Sequence, residues 1–229
     1  MPTFIGDLLS TSQWTAEKDE LIRVSSHFYH KGWMVGTSGN LSVRVAHDTF
    51  LITASGRPKG MLGDEDLVSV KGLYELPGPS GNGRKPSAEV SIHQAIYSEM
   101  REANAVFHIH SVESNIVSEW ASDHSILLPP LEMIKGLGVK DPSLGYRIDV
   151  LENHLDVSRI ALDLKRLFGQ DQVSNEFRLP AFLIRHHGLT VWGSDVTEAF
   201  HRIELLEYVF RFMVAMGPSD SAPPMAGFH

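Results

Sequence analysis

Apolar residues recur along this chain on two periods, and the switches between them mark its predicted elements. From Thr15 to Lys31 the residues Leu21, Val24 and Phe28 lie on one helical stripe, with Thr15 placed as an N-cap and Gly32 as a stop. Leu41-Ser42-Val43-Arg44-Val45 then alternates with period two, and Phe50 to Thr53 answers it across Ala46 to Thr49, which predicts a hairpin. Further strands are expected at Asp66 to Val70, through His108 and His110, and at Ile126 to Leu128, Tyr146 to Leu151, Ala181 to Arg185 and Leu189 to Trp192. Helices are expected from a Ser87 cap to Met100, over Glu113 to Ala121, briefly over Leu131 to Leu137, from Val157 to Phe168 closed by Gly169, and from Asp195 or Thr197 to Met216. Gly56 to Gly63 and Pro77 to Pro86 read as loops. The pattern predicts a single α/β domain over residues 1–216, three-layered α/β/α with a mostly antiparallel central sheet, followed by a Pro/Gly/Ser-rich tail over 217–229.

Composition narrows the chemistry. A length of 229 residues, 42% hydrophobic and 21% charged, is that of an ordinary globular chain able to bury a full core. No stretch approaches the ~18 uninterrupted apolar residues of a membrane span, and Met1 to Thr15 lacks a signal-peptide layout, so a cytoplasmic protein is expected. A formal charge of −8 without a dense Lys/Arg cluster argues against nucleic acid as a partner. A small phosphorylated substrate remains compatible, because backbone N–H groups and one or two local cations can hold phosphate. With no cysteine, any metal must be held by histidine and carboxylate.

His108-Ile109-His110 and, far downstream, His187-Gly188 supply three imidazoles of the kind a catalytic zinc uses. On a strand His108 and His110 project to one side and Ile109 to the other. A chance His-x-His is not rare among twelve histidines, so this spacing alone does not establish a metal site. His27, His30, His93 and His201 read as helix-face residues, and of the adjacent His186 and His187 only one is expected to ligate. Three loops rich in small hydroxyl residues and glycine are each explained by turn chemistry: Thr37-Ser38-Gly39-Asn40, Thr53-Ala54-Ser55-Gly56 and Lys85-Pro86-Ser87. Together they could form an anion cradle from Ser38, Gly39, Asn40, Ser55, Gly56 and Ser87, helped by Lys59. Glu89, at the second position of the expected helix, is as compatible with dipole stabilisation as with catalysis. Glu132 stands in an apolar run where desolvation would raise a carboxyl pKa, although an exposed helix-start Glu would look the same. The absence of Gly-x-Ser-x-Gly argues against a serine hydrolase.

The chain resembles the class II aldolase/adducin family. The resemblance spans about Thr15 to Met216 and rests on Thr37-Ser38-Gly39-Asn40-Leu41-Ser42, Pro86-Ser87-Ala88-Glu89, His108-Ile109-His110-Ser111, Glu132-Met133-Ile134-Lys135-Gly136, and Arg185-His186-His187-Gly188 with Val191-Trp192-Gly193. The Glu-Met-Ile-Lys-Gly and Val-Trp-Gly elements are similar to the methylthioribulose-1-phosphate dehydratases of that family and not to its aldolases. The resemblance implies a Zn2+ ion per subunit on His108, His110 and His187, and a homotetramer with active sites at subunit interfaces. It implies acid/base work by Glu132, with Glu89 assisting, whereas in the family's aldolases the residue matching Glu89 has that role. The activity implied is zinc-dependent dehydration of 5-methylthioribulose 1-phosphate to 2,3-diketo-5-methylthiopentyl 1-phosphate in methionine salvage. The alternatives are a sugar-phosphate aldolase or epimerase, and a non-catalytic adducin-like scaffold.

Overall fold

The computed structural model describes residues 14–73, 83–121, 123–174 and 177–218, with backbone alone over 170–174. Most of the expected Pro77 to Pro86 loop, and the tail from residue 219 onward, lie outside the described residues. In chain order the elements are α1 (Thr15–His30), β1 (Asn40–Ala46), β2 (Thr49–Thr53), β3 (Leu67–Lys71), α2 (Val90–Glu99), β4 (Ala105–Ile109), α3 (Val112–Glu119), β5 (Ser125–Leu127), β6 (Arg147–Leu151), α4 (Val157–Ser174), β7 (Ala181–Ile184), β8 (Gly188–Gly193) and α5 (Val196–Met216). The eight strands form one sheet in the order β3-β2-β1-β4-β8-β7-β6-β5. Every neighbouring pair is antiparallel except β6 with β7.

Period-two alternation sorts the core into two halves. Leu41, Val43, Leu51, Ala105, Phe107, Ile109, Leu183, Leu189 and Val191 join one apolar cluster with α1, α3 and α5. Phe50, Ile52, Val106, Phe182, Ile184 and Trp192 face the other way and pack with α2 and α4. The sheet therefore lies between two helical layers, as the strand patterns require. Among the described residues no helix is long and apolar enough to cross a membrane.

Several boundaries differ from the sequence expectation for local reasons. Thr15 is the first helical residue and Trp14, with φ 61°, is the N-cap without a side-chain bond. Ser87 lies before α2, because its N–H bonds Thr53 O at 3.2 Å and draws this stretch toward β2; Glu89 becomes the N-cap. Asp66 precedes β3, its carboxylate accepting from Gly63 N at 3.1 Å. Gly169 does not close α4, which continues to Ser174, and Leu131 to Leu137 forms a 3₁₀ segment over Glu132–Leu137 ended by Gly138 at φ 92°. Asp195 caps α5 through its side chain, accepting from Glu198 N at 2.7 Å.

The centre of the sheet is unusually close at β8. A Cβ on Gly188 would overlap the main-chain oxygen of Ile109 on β4. Behind these strands α5 buries Glu207, which accepts from Ser111 Oγ at 2.7 Å through one oxygen and has no hydrogen-bond partner for the other among the described residues. Burial pushes its carboxyl up to about 8, with the nearby Glu113 adding to the rise against the opposing effects of Ser111 and Arg211.

Two stability measurements follow from this packing. Gly188→Ala should cost roughly 3 kcal/mol through backbone overpacking, seen as a fall of about 6–12 °C in the Tm of a thermal melt. Glu207 binds its proton more tightly in the folded chain than in the unfolded one, so its contribution to stability declines as pH rises from about 4.5 to about 8. Glu207→Gln cannot titrate. Its Tm relative to the parent chain should therefore climb across that window, and a difference that stays flat with pH would contradict the assignment.

Candidate metal centre

The three central strands present a polar row to the α2 side of the sheet. Asn40 on β1 lies opposite His108 on β4, which lies opposite Thr190 on β8. Residues paired across antiparallel strands share a face, so these three side chains emerge together while Phe107 and Ile109 enter the opposite core. His110 follows the end of β4, where its N–H bonds Trp33 O at 2.8 Å instead of continuing the ladder. Gly39 enters β1 at φ 74°, and a Cβ there would stand 2.8 Å from His108 O. Only glycine combines that conformation with that approach.

His187 comes from the turn between β7 and β8. This turn is clamped by α3: Arg185 Nη1 donates to Ser118 O at 2.8 Å, His186 N donates to Ser118 Oγ at 3.0 Å, and Asn115 Nδ2 donates to His187 O at 3.3 Å. His186 adopts φ 53° and pairs with Glu119, while His187 turns the other way into the site. Glu89 arrives from the start of α2. One ligand atom from each of Glu89, His108, His110 and His187 lies within 4.8 Å of all the others. Glu89 Oε1 is 2.9 Å from His187 Nε2, Glu89 Oε2 is 3.3 Å from His108 Nε2, and the latter is 2.9 Å from His110 Nε2.

The charge states suit a cation. Burial pushes the His108 imidazole down to about 4 against the opposing pull of Glu89. Burial, then the neighbouring His108 and His187, bring His110 to about 3. Both rings are therefore neutral at pH 7, with lone pairs to give. Burial alone would raise the Glu89 carboxyl, but His108, His187 and the Asn40 amide hold it well below the usual carboxylate range. His108 Nδ1 meets Thr190 Oγ1 at 2.9 Å, which fixes the ring and turns Nε2 toward the centre. Three imidazoles and one carboxylate aimed at a common point are the donor set of a divalent ion in nitrogen/oxygen ligation.

The three loops expected to form an anion cradle are knitted to one another beside this cluster. Lys59 N donates to Gly36 O at 3.1 Å, and its Nζ donates to Thr37 O at 2.8 Å and Arg57 O at 3.0 Å. Ser55 N donates to Lys85 O at 3.0 Å, and Ala54 bridges Pro86. The Ser38-Gly39, Ser55-Gly56 and Ser87 loops are thus neighbours. Ser38 Oγ is committed to Val35 O at 2.7 Å, Ser55 and Gly56 are exposed, and Ser87 Oγ accepts from Glu89 N at 3.3 Å. Lys59 is buried to 2% exposure, and burial lowers its ammonium to about 8 although Glu89 and Asp66 pull it back up.

Glu132 is not brought to the cluster within this chain. Its apolar neighbours Ile134 and Leu137 are buried in the core, but Glu132 itself is 82% exposed and bonds Lys135 at 2.8 Å. The desolvation expected from its sequence surroundings therefore does not occur here. His27, His30 and His201 also stay outside the cluster. His93, expected as a helix-face residue, is instead fully buried, and it meets Asn40 and Ser42. Thr190 was not singled out by its sequence; the available signal was its period-two placement after Gly188 on the strand that faces His108.

Replacing His108 and His110 together by Ala should leave one imidazole and one carboxylate, too few to hold a divalent ion firmly. After metal loading and dialysis, elemental analysis should show about one ion per chain in the parent protein and a small fraction of that in the variant. Equal contents would place the ion elsewhere.

Comparison with known proteins agrees with this geometry. Residues 19–214 match the family described as class II aldolase and adducin N-terminal domain. A methylthioribulose-1-phosphate dehydratase of Microcystis aeruginosa is 42% identical over 195 residues, covering 85% of this chain and 93% of the relative. One from Leptospira biflexa is 36% identical over 200 residues, covering 85% and 94%. Among solved structures, YgbL of Escherichia coli superposes with a TM-score of 0.72 at 27% identity over 92% of both chains. An L-fuculose-1-phosphate aldolase of Thermus thermophilus, at 24% identity and TM-score 0.67 over 88% of this chain and 95% of that one, shares the fold. With its histidine cluster and its match over nearly all the described residues, the chain belongs to the class II aldolase and adducin N-terminal domain family.

Proposed function

We propose that this protein is a lyase that dehydrates 5-methylthioribulose 1-phosphate to 2,3-diketo-5-methylthiopentyl 1-phosphate, with zinc as its metal. The observation that carries this reading is the convergence of Glu89, His108, His110 and His187 in a chain 36% to 42% identical to relatives bearing that activity's name. A zinc ion on His108, His110 and His187 would supply Lewis-acid polarisation of the substrate carbonyl and so make the adjacent C3 proton easier to remove. The donor set also argues against a non-catalytic scaffold.

The chain's own groups supply the proton transfers. Glu89 is ionised and half-buried at the cluster, and so is suited to take the C3 proton. As the C4–O bond breaks, the hydroxyl leaves as water with a proton from a carboxylic acid, the role assigned to Glu132. Glu89 then returns its proton to C4 while the C3 enol hydroxyl gives its own to the Glu132 carboxylate. The diketone forms and both groups are restored. The substrate phosphate is assigned to the Ser38-Gly39, Asn40, Ser55-Gly56 and Ser87 loops beside Lys59, where main-chain donors gather without a basic patch.

For Glu132 to act, it must reach a site other than that of its own chain. We therefore assign a homotetramer in which Glu132 faces a neighbouring subunit's cluster. Exposed apolar side chains favour this: Met133 is on the same 3₁₀ segment as Glu132, and Tyr208, Phe212 and Met216 are on α5. A sugar-phosphate aldolase or epimerase is the second reading, favoured by the placement of Glu89, and not Glu132, in the cluster.

Glu89→Gln and Glu132→Gln should each keep metal and lose about 10²- to 10⁴-fold in kcat. Mixed by co-expression, the two variants should recover about a quarter of parental activity, because one site in four pairs an intact Glu89 with an intact neighbouring Glu132. No recovery would place both groups in one subunit. Cleavage of fuculose or ribulose phosphates without dehydration of 5-methylthioribulose 1-phosphate would favour the second reading.

A further inference from the structure

Behind the metal cluster, α2 docks on β1 through a polar seam running into the interior. Glu89, His93 and Tyr97 are four residues apart and share one helix stripe. Asn40, Ser42 and Arg44 alternate along β1 and share one face of the sheet. The two sets interlock. Asn40 Nδ2 donates to Glu89 Oε2 at 2.6 Å, and Asn40 Oδ1 meets His93 Nε2. Ser42 Oγ is 2.6 Å from His93 Nδ1 and 2.8 Å from Tyr97 OH. The Arg44 guanidinium lies over the Tyr97 ring at 4.7 Å and donates to Tyr97 O at 2.9 Å. His93 and Ser42 have no exposed surface, and Tyr97 and Asn40 have 2% and 3%.

Donor and acceptor chemistry allows one direction along this file. An ionised carboxylate only accepts, so the Asn40 amide nitrogen faces Glu89 and its oxygen faces His93. That oxygen needs a donor, so His93 carries its proton on Nε2. A neutral imidazole then accepts at Nδ1, which takes the single hydroxyl proton of Ser42 in preference to the longer 3.4 Å contact with Val106 O. Ser42 in turn accepts from Tyr97. With a neutral ring, each polar atom along the file is satisfied in this direction. Complete burial also pushes the His93 imidazole down to about 4 against the pull of Glu89, in keeping with a neutral ring.

We propose that the file Tyr97–Ser42–His93–Asn40 is a positioning device that holds the Glu89 carboxylate in the orientation in which it works, with His93 locked as its Nε2–H tautomer. None of the four residues need touch the reacting atoms for this. Their effect is to present the Asn40 amide N–H to Glu89 Oε2, leaving Oε1 beside His187. An Asn side chain alone could flip by half a turn and present its oxygen to the carboxylate. His93 forbids that flip. The inference builds on the dehydratase reading only in what Glu89 is positioned for.

The test uses full-length protein labelled with ¹³C and ¹⁵N at histidine and glutamate, measured by solid-state NMR at pH 7 with and without zinc. His93 and Glu89 signals are assigned by their loss in His93→Gln and Glu89→Gln. His93 should show a proton on Nε2 and a bare, hydrogen-bonded Nδ1. Ser42→Ala, and the nearly isosteric Tyr97→Phe should the first fold poorly, should each shift the Glu89 carboxyl signal. Turnover of 5-methylthioribulose 1-phosphate by these variants should fall about five- to tenfold in kcat, the worth of a lost hydrogen bond. KM should stay within about twofold and metal content should be unaltered, since neither the phosphate loops nor the imidazole ligands are touched. An Nδ1–H tautomer or an imidazolium at His93 overturns the proposal, as does an unmoved Glu89 signal or an unchanged kcat in both variants. A parent protein inactive on this substrate sinks the dehydratase reading, and the two NMR signals then decide the file by themselves.

Discussion

A carboxylate that is to remain ionised inside a protein must be met by donors or positive charge, since an unpaired buried charge costs several kcal/mol. Glu89 sets that demand here, and much of the surrounding structure is arranged to meet it. It stands at the N-cap of α2, where the helix dipole favours a negative charge although the side chain makes no cap hydrogen bond. Asn40 donates to one oxygen and His187 lies against the other. Burial keeps His108 and His110, which share its site, neutral, so they offer lone pairs beside the carboxylate's negative charge.

The fold makes this possible by putting the polar row at the middle of a wide sheet. β1, β4 and β8 are interior strands, each paired on both sides, and apolar layers cover both faces. Such strands move little, so His108 and Thr190 are held in register by the ladder and not by loops. Close approach is the cost of that rigidity. Gly39 and Gly188 are the two positions where the backbone gives way to let β1 and β8 crowd β4 around His108.

Overall charge and local chemistry pull in opposite directions. A chain of formal charge −8 would repel a phosphorylated sugar at long range, but that field is screened beyond ~8 Å at physiological ionic strength. For the phosphate site proposed above, what would matter is the immediate surroundings of the loops. There Lys59 draws the Thr37 and Arg57 segments together through main-chain carbonyls, and the Thr53 and Lys85 segments are joined by their own backbone bonds. Lys59 thus shapes the loops as well as charging them.

Much of this protein could be read from the order of its residues. Alternation over Leu41 to Val45 and Phe50 to Thr53 specified a hairpin, and Leu21, Val24 and Phe28 a buried helix stripe, because these patterns depend on periods of 2 and 3.6 that the backbone imposes locally; the strand expected through His108 and His110 holds His108 but ends at Ile109. The absence of cysteine confined any metal to histidine and carboxylate. What no local pattern could express was which distant surfaces would meet. The stripe Glu89, His93, Tyr97 and the row Asn40, Ser42, Arg44 each look like ordinary solvated faces until α2 lies across β1, when His93 becomes a buried link and Glu89 joins the three imidazoles. Glu132 shows the reverse. Its apolar neighbours suggested burial, but a 3₁₀ turn sends Ile134 and Leu137 inward and leaves Glu132 facing out. Period and composition act residue by residue, whereas burial, pairing and proton direction are properties of contacts, and those contacts exist only once the layers have packed.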